Sequence, residues 1–324
     1  MNRAIGILFI VFVAVAVAFA FSERSDPPMP PTETVIHQLQ MLDVQSGTPG
    51  RLVSVGERGR IFVSDDAGAN WRRVASPTEA TLTALSFVDE RVAVAVGHDA
   101  VILRSEDGGE SWRLVQSEPE EEEPLLSVWF ERGGHGFAVG AYGRFLESRD
   151  GGANWDEREI EANEEALHLN AVARLDDGVF LIVGEAGTLL RSEDDGDSWS
   201  LLDSPYQGSY FGVEVMPDGA VLAFGMRGHV FRSEDRGDSW VEVDTGVQAS
   251  LFASRLLADG TLVLVGQNGV VLASPDQGQR FYRLEGPDRH TRAAVIEGEP
   301  GEVLLIGEEG YARMRMPRTI GDHS

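Results

Sequence analysis

The chain of 324 residues contains no cysteine. This absence excludes disulfide bonds, a thiol nucleophile, cysteine-ligated zinc and a lipidated cysteine. Basic residues are scarce, since 27 lysines and arginines stand against 53 aspartates and glutamates, a net charge of −26. Such a charge repels phosphate backbones, so we expect no nucleic-acid partner. The sequence also lacks a nucleophile elbow, a phosphate-binding loop and a histidine pair at metal-ligand spacing, so we expect neither a cofactor nor a metal.

An eight-residue motif occurs six times, and its copies start 41, 43, 44, 41 and 41 residues apart. The first copy, residues 64–71, reads Ser-Asp-Asp-Ala-Gly-Ala-Asn-Trp. The first five copies end in tryptophan and the sixth ends in Phe281. A period of this length predicts one four-stranded sheet per repeat, with the sheets stacked radially as a β-propeller. The later copies start at Ser105, Ser148, Ser192, Ser233 and Ser274.

The residue types of this motif, the Asp box, predict a structural role. Serine and aspartate can hydrogen-bond nearby backbone amides in a turn, the glycine permits an unusual backbone angle, and the aromatic side chain can fill the space between two sheets. Calcium binding is the alternative, but one carboxylate per turn falls short of six to eight oxygen ligands. The structural aspartates are Asp66, Asp107, Asp150, Asp194, Asp235 and Asp276.

A second motif consists of an apolar run, a glycine, two variable residues and usually a second glycine, as in Val183-Gly-Glu-Ala-Gly187. It predicts a β-hairpin and occurs seven times, although Ala100 replaces the second glycine in the second copy. No Asp box follows the last copy, Ile306–Gly310. The predicted fold is therefore all-β, a seven-bladed β-propeller with four-stranded blades, preceded by one N-terminal apolar helix.

The fourth unit illustrates the predicted blade, with strands at residues 169–175, 179–184, 188–192 and 198–202. The seventh unit has no obvious fourth strand after Met316. We expect residues 34–39 to supply that strand, because an open sheet edge invites aggregation.

The first residues predict export from the cytoplasm. Residues 4–21 carry no charge and follow Arg3, a pattern that fits a cleaved signal peptide or a membrane anchor. Both place the propeller in the periplasm or another extracytoplasmic space, tethered to the inner membrane by residues 4–21 or released after cleavage. The predicted organisation is 1–22 signal peptide or anchor, 23–34 proline-rich tether, 35–317 propeller and 318–324 C-terminal tail.

The paired motifs resemble Asp-box (BNR-repeat) propellers. The run from Val183 through Ser192 to Trp199 is most similar to the photosystem II stability and assembly factor family and its relatives in non-photosynthetic bacteria. The resemblance covers residues 35–316. It implies a chaperone-like factor that holds an integral membrane protein through an arginine-rich patch. Here the arginines are scattered among acids, which favours a membrane complex other than the photosystem as partner.

The alternative function is an exported glycan-binding or sialidase-like hydrolase propeller. Sialidases resemble this chain in their Asp boxes, but their sites need an arginine triad and a Tyr–Glu pair. An Arg-Ile-Pro sequence usually marks the first arginine of the triad, and here Arg60-Ile61 is followed by Phe62. We therefore predict a non-catalytic protein.

Blade topology places the hairpins and the starts of the innermost strands on one face, which we call the hairpin face. The units differ most there, and variable loops on a constant scaffold are where recognition is expected. Residues 118–123 form an acidic loop between blades 2 and 3, which is either solvated surface or a docking strip for a basic partner. The candidate binding residues are Tyr142, Tyr206, Tyr210, Arg227, His168 and His290.

Overall fold

The computed structural model describes residues 6–8, 12–13, 36, 39–176, 178–317 and 319–320. The chain divides into two units, Met1–Thr34 and Val35–Ser324. In the first unit, residues 6–8 and 12–13 are helical and exposed. Within the described residues, no helix has the length and apolar character needed to cross a membrane. The predictions for the leader, the tether and the tail fall mostly on residues outside those described.

The second unit contains 27 strands in the described residues, arranged as seven antiparallel sheets. The first three blades are β1 Met41–Thr48, β2 Arg51–Gly56, β3 Ile61–Ser64 and β4 Arg72–Val74; β5 Leu82–Phe87, β6 Ala93–Gly97, β7 Ile102–Ser105 and β8 Arg113–Gln116; β9 Leu125–Phe130, β10 Gly136–Gly140, β11 Phe145–Ser148 and β12 Asp156–Glu157. Blades 4 and 5 are β13 Leu169–Asp176, β14 Val179–Gly184, β15 Leu189–Ser192 and β16 Ser200–Leu201; β17 Tyr210–Val215, β18 Val221–Gly225, β19 Val230–Ser233 and β20 Val241–Val243. Blades 6 and 7 are β21 Leu251–Leu256, β22 Leu262–Gly266, β23 Val271–Ser274 and β24 Tyr282–Leu284; β25 Arg292–Glu297, β26 Glu302–Gly307 and β27 Gly310–Arg315.

These sheets close into a ring. The first strand of each blade contacts the first strand of the next, and β25 contacts β1. The predicted seven-bladed propeller is therefore confirmed, and the four strands predicted for the fourth unit match β13–β16 within two residues at each end.

The first glycine of each hairpin allows a close approach between two backbones. In blade 4, Leu169 pairs with Gly184 and the register then skips one residue. A Cβ atom on Gly184 would lie 2.2 Å from the carbonyl oxygen of His168. The neighbouring N–H of Glu185 donates a hydrogen bond to that oxygen at 2.9 Å. The glycine thus fixes where each inner strand starts.

The second glycine lies within the hairpin turn. Ala186 and Gly187 have φ values of 52° and 82°, which is the signature of a type I′ turn. The N–H of Thr188 closes the turn on the carbonyl oxygen of Glu185 at 2.9 Å. In blade 2, Ala100 adopts the same backbone region at φ 46° without the freedom of glycine.

Seven apolar clusters fill the spaces between neighbouring blades. The middle strands are the most deeply buried, because neighbours cover both of their faces. Six clusters include the Asp-box aromatic of the following blade, as the prediction required. The cluster between blades 6 and 7 includes no aromatic residue among those described, and Met314 and Met316 pack there instead.

The Asp boxes confirm the predicted turn chemistry. In blade 4, the Ser192 hydroxyl donates to Asp194 at 2.9 Å and accepts the N–H of Gly196 at 2.9 Å. Asp194 accepts both the N–H and the hydroxyl of Ser198, at 2.8 and 2.5 Å. The same pattern recurs in the other five boxes. Each carboxylate is therefore already committed to its own turn.

The strand predicted at residues 34–39 lies mostly outside the described residues. Of these residues only Ile36 and Leu39 are described, and the Leu39 N–H donates to the Ile36 carbonyl oxygen at 3.2 Å. Both side chains are buried in the cluster between blades 7 and 1. In the described part of the chain, blade 7 has three strands.

Candidate functional site

A strip of side chains lies on the hairpin face in two groups, one at blades 3 and 4 and the other at blade 5. At its first end, the rings of Tyr142 and His168 meet edge to face with centroids 5.0 Å apart. Tyr142 is 61% exposed and adopts φ 55°, a strained angle for a bulky residue at a hairpin tip. His168 Nδ1 lies 3.9 Å from Glu185 Oε2 on the next hairpin. Each hairpin has a residue with a similar φ at this position, so the exposure of the Tyr142 ring, and not its backbone angle, makes it a candidate for binding.

The other end of the strip is built on Tyr206. Its ring lies 4.6 Å from that of His229, and its hydroxyl donates to the Met226 carbonyl oxygen at 3.2 Å. His229 Nδ1 contacts Glu242 Oε1 at 2.5 Å. Burial raises the pKa of Tyr206, although the nearby charge of Arg227 opposes this. We call Tyr142, His168, Tyr206 and His229 the aromatic strip, and exposed Arg227 flanks it.

Two predicted binding residues lie apart from this strip. Tyr210 is fully buried, packs against Phe231 and contacts the Ser204 hydroxyl at 3.1 Å. Burial raises its pKa to about 12. Tyr210 occupies a core position at the start of its inner strand, so it supports Tyr206 from below rather than facing solvent. His290 lies on blade 7, 3.6 Å from both Asp288 and Glu309.

The acidic loop at residues 118–123 has an internal role. Arg144, only 5% exposed, is held by the carboxylates of Glu118, Glu121 and Glu123. Burial acts to lower the pKa of Arg144, but the hydrogen bonds to Glu121 and Glu118 and the nearby charge of Glu157 outweigh it, so the pKa is raised. Arg144 thus engages three of the loop's five glutamates, which leaves Glu120 and Glu122 as the acids without this internal partner.

Two inner strands carry an apolar contact that sequence reasoning missed. Phe211 and Phe252, each the second residue of an inner strand, contact each other with ring centroids 5.4 Å apart. Neither belongs to a cluster between blades, and both are partly exposed. Aligning the units on their hairpin glycines brings these two residues to the same position, a signal that was available. His229 was also missed, because as an isolated histidine it carried no motif.

Two carboxyl groups with raised pKa values lie on inner strands. Burial raises the pKa of Asp43 to about 6, although the N–H groups of Leu85 and Val44 donate to its carboxylate at 2.8 and 2.7 Å. Burial also raises the pKa of Glu214, which accepts the Ser254 hydroxyl at 2.6 Å. The bonds to Leu85 and Ser254 join neighbouring inner strands. Within the described ranges, no cluster of three or more histidine, aspartate or glutamate side chains could hold a metal ion.

The raised pKa of Asp43 predicts a pH dependence of stability. Its contribution is fully present below the unfolded pKa near 3.8 and is lost as the pH rises through about 6. We expect the free energy of unfolding to fall by on the order of 2 kcal/mol between pH 4 and 7, as followed by urea denaturation. Asp43→Asn should flatten this fall, while Glu193→Gln, which changes an exposed carboxylate, should not. An unchanged slope in Asp43→Asn would contradict the assignment.

With this geometry in place, comparison with known proteins identifies the family. The family model described as photosynthesis system II assembly factor YCF48 matches residues 110–295, more than half of the chain. The chain belongs to this family. The resemblance found in the sequence is thus confirmed. No curated protein matches the sequence.

Solved structures agree with the fold. "YCF48 bound to D1 peptide" superposes with a TM-score of 0.69 and 17% identity, over 86% of this chain and 94% of that one. YCF48 from Cyanidioschyzon merolae gives 0.69 and 17%, over 87% and 97%. A GH74 enzyme from Niastella koreensis gives 0.66 and 18%, over 87% of this chain and 44% of the enzyme. At these identities the similarity concerns the fold alone.

Proposed function

We propose that this member of the YCF48 family is a non-catalytic scaffold that binds a membrane-protein subunit on its hairpin face during assembly of a membrane complex. The observation that carries the proposal is the aromatic strip, which places exposed and half-buried rings on three consecutive blades. Tyrosine is a residue type enriched at binding hot spots, and rings offer contact area at low entropic cost. Family membership and the solved YCF48 complex with a peptide support a binding role.

The charge of the hairpin tips indicates which side chains the partner segment carries. Their variable positions carry five acids and two arginines, so the partner segment that fits this face combines basic with aromatic or aliphatic side chains. The proposed partner segment is an extramembrane loop or terminus that carries such side chains. We place the propeller outside the cytoplasm, tethered by residues 4–21 or released. The charged tips are Glu57, Arg58, Asp99, Glu185, Arg227, Glu308 and Glu309.

The proposal predicts loss of partner binding without loss of fold. We expect Tyr142→Ala combined with Arg227→Ala to reduce co-purification of membrane subunits from detergent-solubilised membranes by at least about tenfold. The matched control combines Leu201→Ala, a residue 62% exposed on an outer strand, with Arg236→Ala on the Asp-box face. The control should retain its subunits and the melting temperature. Equal retention by both double variants would refute the proposal.

The glycan-active alternative receives less support. Tyr206 and Tyr210 are engaged with protein groups, and the carboxyl groups of Asp43 and Glu214 hold inner strands together. A glycosidase activity of the purified chain that disappears in Glu214→Gln would establish the alternative. Our proposal predicts no such activity.

A further inference from the structure

The first group of the aromatic strip combines a tyrosine, a histidine and a glutamate. The ring of His168 meets the ring of Tyr142 with centroids 5.0 Å apart, and its Nδ1 atom lies 3.9 Å from Glu185 Oε2. The same carboxylate oxygen accepts the backbone N–H of His168 at 3.3 Å. A glutamate is therefore held beside the imidazole, while the tyrosine ring contacts it from the neighbouring blade.

The second group contains the same three residue types. The ring of His229 lies 4.6 Å from the ring of Tyr206, and its Nδ1 atom contacts Glu242 Oε1 at 2.5 Å. We call the two groups the Tyr–His–Glu sets. Their histidines come from different positions of the repeat, since His168 precedes the inner strand β13 and His229 precedes the third strand β19. The similarity of the two sets is therefore not a by-product of the repeat.

The second ring nitrogen of each histidine is available to a binding partner. In both sets the glutamate engages Nδ1, and no hydrogen bond within the described part of the chain involves Nε2. The side chains of His168 and His229 are 38% and 35% exposed. A carboxylate beside Nδ1 favours the neutral tautomer that carries its proton there, so Nε2 accepts hydrogen bonds. A protonated histidine has lost this acceptor.

The charges beside the two sets make the protonation state matter for binding. Clefts of about 460 and 580 Å³ border Tyr142 and His229, and acids outnumber the single arginine among their charged residues. With neutral histidines, this surface attracts a basic segment. Protonation cancels one negative charge in each set and adds a cation where a basic side chain would bind. The charged residues are Glu159, Glu161, Glu164 and Glu185 beside the first set and Arg227, Glu242 and Asp244 beside the second.

We propose that His168 and His229 bind the partner segment in their neutral form, through Nε2, and that protonation in mild acid releases the segment. The proposal rests on the proposed function, because it concerns the same face and the same basic segment. Lysine, arginine or backbone N–H groups of the segment donate to the two imidazoles. Because the segment and the two protons exclude each other, affinity should fall by up to about tenfold per pH unit for each histidine as it becomes protonated.

Two other carboxyl groups with raised pKa values do not produce the same effect. Burial raises the pKa of Asp43 to about 6 and also raises the pKa of Glu214. Their protonation in acid removes charges that burial disfavours, so acid stabilises the folded propeller at these groups. Release of a partner in mild acid would therefore not reflect unfolding caused by Asp43 or Glu214.

The test uses the full chain, immobilised, and the membrane subunits that it captures from detergent-solubilised membranes at pH 7.5. We expect the amount retained at pH 5.5 to be at least about tenfold lower. The double variant His168→Gln with His229→Gln has neutral side chains at both pH values, so its retention should change less than about twofold. The control is His98→Gln, because exposed His98 lies on the blade 2 hairpin and contacts no ring or carboxylate among the described residues. This variant should release its subunits as the unchanged chain does.

The ratio of retention between the two pH values decides the result, because glutamine lacks the imidazole ring and lowers affinity at both. Each single variant should show about half of the logarithmic change, which provides the test where the double variant binds too weakly to be followed. Capture of no subunit by the unchanged chain at pH 7.5 would refute both the proposed function and this proposal. Capture at pH 7.5 that persists at pH 5.5, or acid release that is undiminished in the histidine variants, would overturn this proposal alone.

Discussion

Gly187→Ala is expected to destabilise the propeller by about 2–5 kcal/mol. The residue has φ 82°, a region that costs an L-residue about 1–2 kcal/mol. In addition, the new Cβ would lie 2.0 Å from the Tyr206 carbonyl oxygen, a backbone atom that cannot move aside alone. Forcing extra volume into such a contact costs about 1–3 kcal/mol more. Thermal and urea unfolding measure the loss.

Gly219→Ala is the matched control for this substitution. Gly219 has nearly the same angle, φ 85°, but a Cβ there meets nothing within 4 Å. This variant should lose only the backbone contribution, about 1–2 kcal/mol. The difference between the two variants therefore isolates the close approach between the blade 4 hairpin and the segment that carries Tyr206. Equal losses in both would show that this approach does not constrain the fold.

The contact between the Gly187 turn and the Tyr206 backbone also affects the candidate site. Because the hairpin turn at Gly187 touches the Tyr206 backbone, the blade 4 hairpin positions one half of the aromatic strip. A variant that still folds should therefore bind the partner less well than its stability alone explains. The hairpin glycines thus serve the fold and the candidate site together.

The sequence predicted the fold correctly at positions where the residue type has a single structural role. The Asp-box serines and aspartates and the paired glycines repeat a local hydrogen-bond pattern, and the number and order of strands follow from it. Contacts between repeats were harder to predict. Tyr210 was predicted to be a binding residue because tyrosine is common at interfaces. Its pairing opposite Gly225 places it in the core instead.

The contact of the acidic loop with Arg144 was not foreseen for the same reason. A run of glutamates has no periodicity that reveals a buried partner, and Arg144 lies 21 residues beyond Glu123 on the next hairpin. Only the folded arrangement of blades 2 and 3 brings them together.

The aromatic strip likewise joins residues from three units, so no single sequence motif could predict it. The absence of an Asp box after β27 was visible in the sequence, but the packing of Met314 and Met316 between blades 6 and 7 was not.

Asp288→Asn is expected to cost about 2–4 kcal/mol, because it leaves a buried arginine without its counter-charge. Arg292 is only 2% exposed, and its guanidinium bonds to the Asp288 carboxylate. Burial acts to raise the pKa of Asp288, but the His290 N–H and Arg292 outweigh it, and the pKa is lowered. Since the Asp288 side chain is 31% exposed, solvent screening limits the loss to the lower part of the usual range for buried pairs.

The other blades indicate a second substitution that should restore the stability lost in Asp288→Asn. The position of Arg292 is occupied in the other six blades by Met41, Leu82, Leu125, Leu169, Tyr210 and Leu251. Arg292→Leu in the Asp288→Asn background should therefore restore stability to within about 1 kcal/mol of the unchanged chain, because an apolar residue replaces a buried ion pair without an unpaired charge. Arg289→Leu, an exposed arginine in the same loop, should rescue nothing. Additive losses in the double variant would contradict the coupling. Rescue would mean that the ion pair is dispensable for the stability of the ring.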